Sequence, residues 1–126
     1  MNGGANRRDL LAKLFATIDA MDTAGFVAML TPGAEFRFGG APPVQTRAQI
    51  GAAVDEFFST IAGLQHELHN VIDSSDLVAC EGDVTYTRHD GSSVTVPFAD
   101  VFDFDGDLIA GYRIYIDIGP LYAPTE

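Results

Sequence analysis

One cysteine, no tryptophan and only seven basic side chains set the first limits on this 126-residue chain. A lone Cys80 cannot build an internal disulfide framework and suits a reducing cytoplasm. The start, MNGGANRRDLLAKLF, has no uninterrupted apolar stretch leading to a small-residue cleavage site, so no secretory leader is expected. No run approaches the roughly 20 apolar residues of a membrane span. Repeats, low-complexity tracts and linkers are missing as well. Seven basic against 18 acidic residues leave a formal net charge of −11. So little lysine and arginine suits neither nucleic-acid phosphates nor an anionic membrane surface.

What is present is a core. With 47% hydrophobic residues and nine phenylalanines, the chain is globular, and its length suits one domain over residues 1–126. Asn6 can cap a helix in which Leu10, Leu14 and Ile18 recur at i, i+4 beside Leu11 and Phe15. Asp22 or Thr23 caps a second, short helix through Phe26, Val27, Met29 and Leu30, stopped by Pro32-Gly33. Residues 35–38 read as a short strand, ended by Gly39-Gly40 and Pro42-Pro43. Thr46 and Gln49 have capping-box spacing and open a third helix, striped by Ile50, Val54, Phe57, Phe58 and Ile61. From residue 64 the period becomes two, with strands near 64–73, 77–88, 93–104 and 108–118. Turns at Ser74-Ser75, Asp90-Gly91 and Asp105-Gly106-Asp107 join them. Helices followed by an antiparallel meander predict an α+β fold, with the helices on one face of a curved sheet.

The stretch VTVPFADVFDF, residues 94–104, places Asp100 on a face otherwise made of Val94, Val96, Phe98, Phe102 and Phe104. A two-residue Asp90-Gly91 turn would set Glu81 opposite Asp100, with Asp83 opposite Phe98 on the same face. Carboxylates that close would share a proton. An odd-length final loop keeps Tyr112, Ile114, Ile116 and Ile118 on the Asp100 row, with Tyr112 opposite Asp100. Asp105-Gly106 alone would bring Arg113, Tyr115 and Asp117 there instead, and burial favours the apolar set. The Ser74-Ser75 turn pairs His66 with Asp83, an arrangement suited to proton transfer. A one-residue bulge would exchange His66 with His69.

Each candidate also has a plainer reading. Asp100 could be a structural hydrogen-bond partner and Tyr112 a cavity wall. Glu81 and Asp83 could lie at a solvated margin, since Val78, Cys80, Val84 and Tyr86 form a more apolar alternative face. His69 and His89 read as surface residues, Arg113 and Asp117 as outer-face residues, and Cys80 as packing. No metal site is expected, because in this register no two histidines share a face with the acids and no CxxC pattern occurs.

Three N-terminal helices, the Gly/Pro-rich crossing at 39–43 and FADVFDFDGDLIAGYRIYID over the last hairpin resemble the SnoaL-like branch of the nuclear transport factor 2-like (NTF2-like) superfamily. The resemblance spans roughly residues 8–122. It implies a cone-shaped α+β scaffold with a deep apolar pocket, commonly a homodimer, shared by ketosteroid isomerases, polyketide cyclases, limonene-epoxide hydrolases, dehydratases and non-catalytic binding modules. By that resemblance Asp100 stands where ketosteroid isomerases hold a protonated oxyanion-hole acid. Their partner tyrosine matches Leu14 or Phe15, and their base matches Phe38. In limonene-epoxide hydrolases one aspartate matches Asp83, while Glu81 replaces an arginine and Ile114 a second aspartate. Their water-holding tyrosine and asparagine match Phe36 and Phe38. The acid/base aspartate of the cyclases falls near Tyr112, or Asp117 in another alignment.

The expected function is therefore acid/base catalysis of the isomerase, cyclase or dehydratase type, on a small apolar carbonyl compound and without metal or organic cofactor. Asp100 would donate to the carbonyl oxygen, with Glu81 keeping it neutral. Asp83, tuned by His66, would move the proton, and Tyr112 would orient the substrate. Leu14, Phe15, Phe38, Phe57, Val96, Phe98, Ile114 and Ile116 would form the dry wall. The alternative is a non-catalytic module that binds a hydrophobic ligand or dimerises through its sheet, favoured by Phe38 and Ile114 standing where bases are missing.

Overall fold

In the computed structural model, which describes residues 6–123, the Asn6 side chain caps α1 (Arg7–Asp19) by accepting from the Arg8 and Asp9 amides. Residues 1–5, where the segment read for a leader begins, and 124–126, the end of the expected domain, lie outside the described residues. Leu11, Leu14 and Phe15 form the buried stripe of α1. Asp22 caps α2 (Thr23–Val27) through the Gly25 amide. That helix is shorter than the apolar pattern suggested, because Leu30 already begins β1 (Leu30–Phe38). Pro32-Gly33 does not stop a helix. It lies where the pairing of β1 is irregular, between Leu30 and Glu35, so the missing proline N–H interrupts no regular ladder.

A two-residue β2 (Val44–Gln45) pairs antiparallel with β1, and α3 (Arg47–Ser59) follows, capped by Thr46 through the Gln49 amide. The alternating half of the chain folds into β3 (Gly63–Ser74), β4 (Leu77–Thr87), β5 (Ser93–Asp105) and β6 (Leu108–Ile116), with a short α4 (Gly119–Tyr122) after them. The six strands form one curved, unclosed sheet in the order β2-β1-β6-β5-β4-β3, with β1 parallel to β6 and the other neighbours antiparallel. The helices cover one face, as expected. On β5 the core side is Val96, Phe98, Asp100, Phe102 and Phe104.

The registers differ from the expected ones, each for a local reason. Between β4 and β5 the loop is His89-Asp90-Gly91 rather than Asp90-Gly91 alone. The Arg88 amide donates to the Ser92 carbonyl and Gly91 adopts φ +89°. This is the three-residue hairpin loop with a left-handed third residue. It sets Cys80 opposite Asp100, Glu81 opposite Ala99 and Asp83 opposite Pro97. The first hairpin turns at Ser75-Asp76, with Ser74 paired to Leu77, and a bulge at His69 then shifts the pairing so that His66 faces Val84, not Asp83. The last hairpin turns at Gly106-Asp107, and Ala110 bulges out. That bulge restores the parity of an odd loop but puts Tyr112 opposite Phe102, with Ile114 opposite Asp100.

The His69 bulge brings two backbones unusually close. A Cβ at Gly82 would run into the Glu67 carbonyl oxygen. Gly82→Ala should cost about 2–3 kcal/mol of stability by overpacking, measured by urea denaturation, whereas Gly91→Asn should cost far less.

Candidate functional site

Between the helices and the concave face of the sheet lies a cavity of about 250 Å³. Its walls come from every layer: Ile18 of α1, Phe26 of α2, Phe38 of β1, Phe57 of α3, Leu64 of β3 and Phe98 of β5. Tyr112, Ile114 and Ile116 of β6 line it too. Phe15 does not reach it. Phe15 packs behind the wall, its ring centroid 4.6 Å from that of His66 and 5.7 Å from that of Phe98. The lining also includes two residues not expected there, Phe36 of β1 and Tyr86, which lies on the more apolar alternative face of β4. Neither lysine nor arginine lines the cavity.

Two polar stations interrupt this lining. The first is Asp100, 1% exposed and the only charged residue type in the buried core among the described residues. Its Oδ2 accepts from the Tyr112 hydroxyl at 3.1 Å, while Oδ1 has no hydrogen-bond partner. Tyr112 is fixed by rings on several sides, stacked on Phe102 at 4.5 Å and edge-on to Phe26 and Phe36. Burial raises the Asp100 carboxyl from 3.8 to about 8, and the Tyr112 hydrogen bond offsets only part of that rise. Glu81 plays no part, because it projects from the opposite face of β4 and accepts from Asn70 there. Burial and Asp100 together push the Cys80 thiol and the Tyr86 and Tyr112 hydroxyls upward, so all three stay protonated at neutral pH.

The second station is His66. Its Nδ1 lies 2.6 Å from Asp19 Oδ1, and its backbone N–H donates to Asp19 Oδ2 at 2.9 Å. The carboxylate at Nδ1 favours the tautomer protonated there and leaves Nε2 as the acceptor. Asp19 is the last residue of α1, and the chain leaves that helix through Met21 in the left-handed region. The Met21 amide closes on Ile18 O and the Asp22 amide on Thr17 O, which fixes the direction of the helix end. Nothing in the strand pattern could identify Asp19, since its partner is 47 residues away on another element. Asp83 lies on the outer face beside His69, away from the cavity.

The sequence matches the family model described as SnoaL-like domain over residues 11–112, most of the chain. The chain belongs to the SnoaL-like domain family. Solved structures share its fold at low identity. An NTF2-like protein of unknown function from Burkholderia pseudomallei superposes with a TM-score of 0.82 at 16% identity, covering 93% of this chain and 95% of that one. A putative SnoaL-like polyketide cyclase from Jannaschia superposes at 0.79 and 20% identity, covering 93% and 92%. A putative hydroxylase from Streptomyces galilaeus does so at 0.77 and 19%, covering 91% and 77%. No curated protein matches the sequence. Among the described residues of this SnoaL-like domain, no helix is long and apolar enough to cross a membrane.

A buried acid of this kind leaves a signature in stability. The folded protein keeps the Asp100 proton to about pH 8, while the unfolded chain releases it near the ordinary 3.8. Folded protein therefore binds the extra proton across that window, and stability falls as pH rises through it. Asp100→Asn removes the effect. Urea denaturation should show the variant gaining on wild type by on the order of 4 kcal/mol between pH 4 and pH 7. Parallel curves for the two proteins would contradict the buried-acid assignment.

Proposed function

We propose that this SnoaL-like domain is a small-molecule enzyme that moves a proton next to a carbonyl group, as isomerases, cyclases and dehydratases do. The observation that carries the reading is that one apolar cavity holds both a buried, protonated acid and an imidazole whose Nδ1 is already taken by a carboxylate. In this reading Asp100 donates its proton in a hydrogen bond to the substrate carbonyl oxygen, strengthening as negative charge develops there. His66 Nε2 removes the proton from the adjacent carbon, and Asp19 stabilises the imidazolium that results. The same proton then returns at another carbon, or leaves with a hydroxyl as water. Tyr112 holds Asp100 in place. The Asp83 and Glu81 roles expected from sequence are given up, because both carboxylates face away from the cavity.

A mostly apolar lining without lysine or arginine supports a neutral substrate over a carboxylate or phosphate. The fold shared with a putative polyketide cyclase is compatible with that class. A second reading, a non-catalytic hydrophobic-ligand binder, is favoured by Phe38 and Ile114, which put rings and methyls where related enzymes are expected to carry bases.

Proton exchange separates the two readings without knowledge of the natural substrate. With 2-tetralone as probe in deuterated buffer, the wild-type protein should accelerate loss of the α-protons seen by NMR. His66→Ala should lower that rate about 10²–10⁴-fold and Asp19→Asn should lower it less. Exchange should also fail as pH rises through about 8, where Asp100 loses its proton. Saturable binding of the ketone with no exchange above the buffer rate would favour the binder.

A further inference from the structure

The register that removes Asp83 from the cavity assembles a different group outside it. We propose that Glu67, His69 and Asp83 bind a first-row divalent cation of the zinc type on the outer face of the β3–β4 hairpin. Glu67 and His69 are two residues apart on β3, and Asp83 is the direct cross-strand partner of Glu67. His69 Nε2 lies 3.2 Å from Asp83 Oδ2 and 3.8 Å from Glu67 Oε1. One ligand atom from each residue falls within 4.8 Å of the others. Ligand atoms around a zinc ion bonded at about 2.0–2.1 Å sit roughly 3.3 Å apart, so small side-chain rotations suffice.

Charge supplies an independent reason. Two carboxylates directly opposite each other in an antiparallel ladder are unfavourable. Neither Glu67 nor Asp83 has a lysine or arginine partner among the described residues, and the side chain that both approach is His69. The neighbouring acid, Glu81, is engaged by Asn70. The backbone under the group is fixed, because the bulge at His69 and the close crossing at Gly82 hold β3 tightly against β4.

The donor set selects the ion. One imidazole nitrogen and two carboxylate oxygens suit zinc, cobalt or nickel, with water completing the shell. Calcium, which takes six to eight oxygens, is poorly served by this set. A cation here would tie β3, the sheet edge, to its neighbour and would stabilise the folded state by mass action. The site lies outside the catalytic cavity and does not depend on the reaction proposed above.

Calorimetric titration of the chelator-treated full-length protein with zinc chloride tests the assignment. One zinc per chain and a higher melting temperature are expected, with calcium giving neither. His69→Ala and Glu67→Gln should each weaken zinc binding at least about tenfold while the far-ultraviolet circular dichroism stays unchanged. His89→Ala should leave binding as it is. Absence of saturable zinc binding, or binding of equal strength in His69→Ala, would overturn the proposal.

Discussion

Gly91, at φ +89°, closes a three-residue loop, and that loop decides which side of β4 faces the helices. Because side chains alternate along a strand, a shift of one residue there exchanges every inward position for its neighbour. The observed register turns Val78, Cys80, Val84 and Tyr86 toward the core and leaves Glu81 and Asp83 outside. Asp100 is thereby the only carboxyl on the inner face of β4 and β5. Its proton is held by lack of water rather than by repulsion from a second acid, which is a different physical cause for the same neutral state.

The rest of the site follows from that isolation. A lone neutral carboxyl among rings needs one good hydrogen bond, and Tyr112 supplies it from the next strand. The remaining oxygen, Oδ1, keeps an unmet hydrogen-bonding requirement of the kind a ligand can satisfy. His66 reaches the same cavity from β3 and is anchored from outside the sheet by Asp19. Asp100 and His66 therefore belong to elements that are positioned separately, one by strand pairing and one by the end of α1.

Much of the fold was legible because its signals are local. Capping at Asn6 and Thr46, the apolar stripes of α1 and α3, and the change of period after residue 63 each depend on neighbouring residues. The apolar row around Asp100 was readable for the same reason, as was the inward side of β6. What was not legible was loop length at each turn and the bulges at His69 and Ala110. Asp-Gly occurs in both two- and three-residue loops, and the choice between them is made by the flanking Arg88 and Ser92 pairing. Two of the four acid/base candidates fell on the wrong face through that single ambiguity. The Asp19–His66 contact joins a helix end to a strand, and no spacing rule encodes such a meeting.

Everything above depends on Asp100 being a protonated acid in an apolar cavity, held by Tyr112. The direct measurement is an NMR titration of the Asp100 carboxyl carbon in wild type and in Tyr112→Phe. A midpoint near 8 is expected in wild type and a higher one in the variant, since the hydroxyl's hydrogen bond stabilises the charged form. A wild-type midpoint near the ordinary 3.8, unchanged by loss of the hydroxyl, would contradict it.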